Sequence, residues 1–150
     1  MTSDLLRLQF ESDGDGTGEL FAEVHCKHFS GVSSAWFSDQ QLVEFAVTLA
    51  AAYPLPKDAP LTLKGGIWNK AGTDIEQLHV GFEFYPIGSI GRVGCRVNLN
   101  TGDHEAERPK SQLSVTVELQ TTYSRIEAFA KSLEMLAKGS INEAILEAEG

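Results

Sequence analysis

A chain of 150 residues, 42% of them hydrophobic, is long enough to bury a core without disulfide or metal staples and too apolar to be disordered. Its 12 Lys and Arg against 21 Asp and Glu give a net charge of −9, which argues against gripping phosphate backbones and predicts no nucleic-acid partner. No apolar run reaches the roughly 18 residues of a membrane span, residues 1–9 lack a secretory pattern and Cys26 and Cys95 lack CxxC spacing, so one cytoplasmic domain with reduced thiols and no membrane partner is expected.

Leu6, Leu8 and Phe10 alternate with polar residues, and the run 19–29 repeats that period at Leu20, Ala22, Val24 and Cys26, which predicts two strands. Asp13-Gly14-Asp15-Gly16-Thr17-Gly18 between them has the residues of a hairpin turn. Ser38-Asp39-Gln40-Gln41 is a capping box, with Phe37 placed to pack on Leu42. Leu42, Phe45, Ala46, Leu49 and Tyr53 form one apolar stripe ended by Pro54 and Pro56, so the spacing predicts a helix over 39–52.

Period two returns at Leu61 and Leu63, at Leu78, Val80, Phe82 and Phe84, at Val93, Cys95, Val97 and Leu99, and at Leu113, Val115, Val117 and Leu119. The opposite parity of the last three runs is polar (His79, Glu83 and Tyr85; Arg96 and Asn98; Ser114, Thr116 and Glu118), as in an antiparallel sheet with one covered and one open face. The connections suit a meander. Ile126, Phe129, Ala130, Leu133 and Ala137 predict a second helix after Thr122, closed by Gly139. Ser140-Ile141-Asn142-Glu143 reads as another capping box, opening a short terminal helix with Ile141, Ala144, Ile145 and Ala148 on one face. The expected fold class is α+β: an antiparallel sheet of about six strands, two longer helices packed on one of its faces, and a short C-terminal helix.

Asp13, Asp15, Thr17, Gly18 and Leu20 match positions 1, 3, 5, 6 and 8 of an EF-hand loop, but position 12 is Val24 where a bidentate carboxylate is required. A solvated turn is the reading, with weak calcium binding left open. His25 and His28 fall on opposite faces of a strand, and His79 and His104 could join them only through the fold, so no metal and no cofactor are expected. There is no Gly-x-Ser-x-Gly elbow, both cysteines lie on apolar parity, and the glycine-rich run 88–94 lacks a Gly-Lys-Ser/Thr ending. No catalytic residue is assigned. Residues 1–60 carry nine acids against three bases, residues 61–100 three against four, and residues 101–150 nine against five. Such acidity steers basic partners toward a surface.

Gly31-Val32-Ser33-Ser34-Ala35-Trp36 ahead of the helix with Leu42, Phe45 and Leu49, the strand around Leu78, Gly91-Arg92-Val93, and Leu119-Gln120-Thr121-Thr122-Tyr123 running into Ile126, Phe129 and Leu133 together resemble a family of small bacterial proteins that includes the WapI-type immunity proteins. The resemblance implies a non-enzymatic protein that neutralises a cognate toxin by binding it. The expected function is therefore a cytoplasmic binding protein whose polar sheet face and acidic loops cover a basic partner, a protein toxin. Glu83 and Glu118 on that face, flanked by Trp68 and Tyr85 as anchors, are the expected partner-binding residues. Two alternatives stand beside it: a small-molecule or metal-binding domain, or an enzyme, with a pocket near His25, His79 and Glu83, and a domain that self-associates through its open face or edge, as a homodimer rather than a monomer.

Overall fold

The computed structural model describes residues 3–101 and 108–149. Alternating burial builds the first layer: β1 (Leu5–Ser12) buries Leu6 and Leu8, and β2 (Thr17–Cys26) buries Leu20, Ala22 and Val24 against the core. They form the expected hairpin, with the Asp13 N–H donating to the Thr17 carbonyl at 2.8 Å. β3 (Phe29–Ser38) then pairs with β2 from Cys26–Phe29 to Thr17–Ser38. The turn between them is only Lys27 and His28. Lys27 sits at φ 56°, a conformation usually left to Gly or Asn, and its N–H donates to Asp4 Oδ1 at 2.8 Å.

The capping box forms as the sequence predicts: Ser38 Oγ accepts from the Gln41 N–H at 3.0 Å, and Gln41 Oε1 accepts from the Ser38 N–H at 2.9 Å. It starts α1 (Asp39–Ala50), which buries Leu42, Ala46 and Leu49. The expected meander also forms, from β4 (Leu61–Trp68), β5 (Ile75–Ile87), β6 (Arg92–Asn100) and β7 (Ser114–Thr122), with a 3₁₀ turn Pro109–Ser111 ahead of β7. Thr122 caps α2 (Tyr123–Ala137). Gly139, at φ 79°, closes it in a Schellman motif: its N–H donates to the Leu136 carbonyl at 3.1 Å and that of Ser140 to the Met135 carbonyl at 2.9 Å. The last element is β8 (Ala144–Glu147).

The α+β class agrees with expectation, but the single six-stranded sheet does not. There are two antiparallel four-stranded sheets, ordered β3-β2-β1-β8 and β4-β5-β6-β7. Each has one apolar face, and helix α1 between β3 and β4 carries the chain from one layer to the other, so the faces bury each other instead of lying side by side. Nor do the helices share an outer sheet face: α2 touches β1 and β8 of one sheet and β7 of the other, so the helices are wedged between the layers. The expected C-terminal helix is strand β8. Its Ala144 and Leu146 point into the core, and it supplies the ladder that the outer edge of β1 would otherwise lack.

β3 touches all four strands of the second sheet and so lies across them. A Cβ on Gly31 would come within 2.6 Å of Val115 Cγ1, Ser33 Oγ donates to the Asn100 carbonyl at 2.6 Å, and a Cβ on Gly65 would come within 2.5 Å of the Phe37 ring. The crossing therefore follows the cross-strand row Gly65, Val80, Leu99 and Val115. Glycine at 31 and 65 lets the two backbones approach. At the other end of the second sheet the Phe84 ring meets Phe45 of α1 at 5.9 Å and Phe129 of α2 at 6.3 Å. Among the described residues, no helix is long and apolar enough to cross a membrane.

Candidate partner-binding surface

The second sheet turns Lys64, Glu83, Arg96, Glu118 and Tyr85 outward, the face expected to meet a partner. Its cross-strand order is Thr62, Glu83, Arg96, Glu118, alternating in sign, with Lys64 and Arg92 close by. This face has no acidic excess. Tyr85 lies over Gly94, where a Cβ would be 2.5 Å from its ring, and donates its phenol to Glu118 Oε2 at 2.6 Å. Burial and then the Glu118 carboxylate push that phenol far above its ordinary pKa. Trp68, 43% exposed, pairs with Ile75 at the other end of β5. Ten residues of strand, roughly 33 Å, separate that position from Tyr85, so the four expected partner-binding residues do not make one patch.

The residues of the rival pocket are not brought together either. Glu83 borders a shallow hollow of about 330 Å³ with Lys64, Leu78 and Arg96 on the second sheet. His25 lies on the outside of the first sheet, bonded to Glu23. His79 is displaced by a β-bulge: Gly65 pairs with Val80 but Gly66 with Leu78, which puts Leu78 on the outer face beside Gly81 and directs His79 into a groove under β3. The expected parity, Leu78 inward and His79 outward, is thus reversed by one extra residue. Gly66 permits the bulge, since a Cβ there would strike the Gln77 carbonyl. His28 is in the β2–β3 turn, and His104 lies outside the described residues. Among the described residues, no three His, Cys, Asp or Glu side chains converge as metal ligands. In the Asp13 loop, Asp15 Oδ1 accepts from the Thr17 hydroxyl at 2.7 Å and from its N–H at 3.0 Å, bonds that lower its pKa, while Val24 is fully buried. Burial raises both thiols above their ordinary pKa; at Cys26 the neighbouring Asp4 adds to the effect. Both cysteines are free.

The acidity is concentrated on the outside of the first sheet. Glu11, Glu19, Glu23 and Glu147 face outward there, and Glu143 reaches the same face to contact Arg7, the one permanent cation in these four strands. Glu11 stands directly opposite Glu19, and Trp36 lies opposite Glu19 on the other side. Like charges so paired destabilise a sheet, and a bound cation relieves them. Trp36 and Val32, on the same face of edge strand β3, are 56% and 61% exposed. Beside them runs an open groove of about 520 Å³, bordered by Glu19, Phe21, Trp36, Ile67 and His79. Sequence reasoning missed Glu11, Glu19, Val32 and Trp36 as site residues, because only strand register puts them in one row.

At the His25 end of this face, Glu23 accepts from His25 Nε2 at 2.6 Å and from Arg7 at 3.1 Å, and these bonds hold its carboxyl below the ordinary value. A carboxylate with a depressed folded pKa contributes stability that is present above its unfolded value and lost as pH falls through the folded one. About a third of the side chain is exposed, so screening keeps the effect modest. The urea midpoint of the parent is expected to drop more between about pH 5 and 3 than that of Glu23→Gln. Equal slopes would remove Glu23 as a contributor.

No protein-family model, no curated protein and no solved structure matches the chain significantly.

Proposed function

We propose that this chain is a non-catalytic binding domain for a basic protein, held on the outside of the first sheet beside β3. The observation that carries this reading is the row Glu11, Glu19 and Trp36: two opposed carboxylates next to a half-exposed indole on an edge strand. Carboxylates favour Lys and Arg, and the indole adds apolar contact and a face for a cation. A toxin neutralised by direct binding is a partner of this chemistry, and the resemblance to the WapI-type immunity family supports that role. The small-molecule reading is less favoured because His25, His79 and Glu83 sit on separate surfaces.

The test is capture from native lysate at low salt by the tagged parent and by a Glu11→Lys/Glu19→Lys variant, followed by elution at moderate salt. A basic protein held by the parent and retained at least about tenfold less by the variant supports the reading. Equal retention, or a set of retained proteins that is not basic, overturns it. The double variant puts Lys opposite Lys and so keeps a like-charged pair; a urea midpoint equal to the parent's shows that it is folded, whereas Glu11→Lys alone relieves the repulsion and should raise stability by about 0.2–1 kcal/mol.

A further inference from the structure

The inner face of the second sheet extends past β3. Beyond the covered row Gly65, Val80, Leu99 and Val115, the next inward positions are Ile67, His79, Thr101 and Leu113, lining two hollows of about 520 and 150 Å³ that share Val32 and Thr101 and so form one groove along β3. Leu113 is 72% exposed and Ile67 is also exposed. No strand among the described residues covers this row. Two residues of strand, roughly 6.6 Å, separate it from the covered one, while neighbouring strands lie about 4.8 Å apart. The shelf is as wide as one further strand.

β3 ends its sheet, so its outer edge carries backbone groups that no strand of the first sheet pairs. It lacks the devices that usually blunt an edge: it has no Lys, no Pro and no irregularity in its pairing with β2, and it exposes Val32 and Trp36. A net charge of −9, with Glu19 and Glu23 opposite Trp36 and Val32, opposes a second copy of this chain at that edge.

We propose that the partner enters as an extended basic segment that pairs with the free edge of β3 as an added strand. This rests on the basic-partner reading and specifies its mode. Side chains alternate along such a strand, so one set, of Lys and Arg, lies over Glu19 and Glu23, and the other set, apolar, lies on Ile67, Thr101 and Leu113. Backbone hydrogen bonds supply affinity, and the two faces supply selectivity.

The test uses three labelled decapeptides of alternating Lys and Val: one unmodified, one N-methylated on the lysines, one N-methylated on the valines. All keep the same charge. In an added strand, N–H groups of alternate residues face the neighbouring strand and the others face solvent. One methylated isomer should therefore bind at least about tenfold more weakly than the unmodified peptide, through loss of several ladder hydrogen bonds, and the other should bind like it. Slowed amide exchange over residues 30–36 should accompany binding. If the three peptides bind alike, or the two isomers are weakened alike, strand addition is overturned while the basic-partner reading stands. If none binds, both fall. A dimer in sedimentation, with the 30–36 amides already protected without peptide, assigns the edge to a second copy and also overturns the proposal.

Discussion

Leu146→Ala is expected to cost about 2–5 kcal/mol of folding stability, and Ile145→Ala less than about 1 kcal/mol, when urea midpoints of the two variants are compared with the parent. Leu146 is fully buried in β8 and stands opposite Leu6, whereas Ile145 stands opposite Arg7 on the outside of the sheet. A helix over the same residues gives the reverse order, because helical spacing puts Ile145 with Ile141 and Ala148 on the covered face. The strand is tied at both sides. β1 supplies its ladder, while the Thr121 hydroxyl donates to the Glu147 carbonyl at 3.0 Å and the Glu149 N–H to the Gln120 carbonyl at 2.8 Å, joining the end of the first sheet to the edge of the second. Equal costs at 145 and 146, or a larger cost at 145, would sink the strand assignment.

The ambiguity at this terminus has a physical origin. Ala144-Ile145-Leu146 satisfies periods of 2 and 3.6 equally over so few residues, and what decides between them is the unpaired edge of β1, which lies far away in sequence. Val93, Cys95, Val97 and Leu99 posed no such problem, because four inward positions separated by glycine or polar residues leave one period. β3 was hidden for two reasons. Its turn, Lys27-His28, has no glycine or asparagine, so the run 19–29 reads as one strand; and both of its faces carry apolar groups, Ala35 and Phe37 inside, Val32 and Trp36 outside. An alternating pattern needs a polar face to be visible.

For the binding surface, residue types were legible but juxtapositions were not. The acidic excess in residues 1–60 pointed to a basic partner, yet the parity rule placed that partner on the polar face of the strands that form the second sheet, where Lys64, Arg92 and Arg96 offset Glu83 and Glu118. Glu11 and Glu19 meet only because a four-residue gap between β1 and β2 fixes their register. The bulge at Gly66 likewise moves His79 from one face to the other without any change in composition.

Phe84→Ala is expected to cost about 3–5 kcal/mol, a large share of the roughly 5–15 kcal/mol that stabilises a domain. The ring is fully buried and joins β5 to both helices, with Phe45 on one side and Phe129 on the other. Both neighbours project from helices held at several other points, so they cannot collapse fully into the space, and a cavity term adds to the lost transfer energy. The midpoint in urea should fall with little change in slope, the mark of a folded state weakened without loss of compactness. Phe84 lies four residues along β5 from Val80, roughly 13 Å from the row that β3 crosses. Below its own unfolding transition, the variant should therefore hold the lysine–valine peptide as the parent does. A cost under about 1 kcal/mol would mean that the helices do not pack on the second sheet through this ring; lost peptide binding in a folded variant would mean that the wedge of helices sets the position of β3.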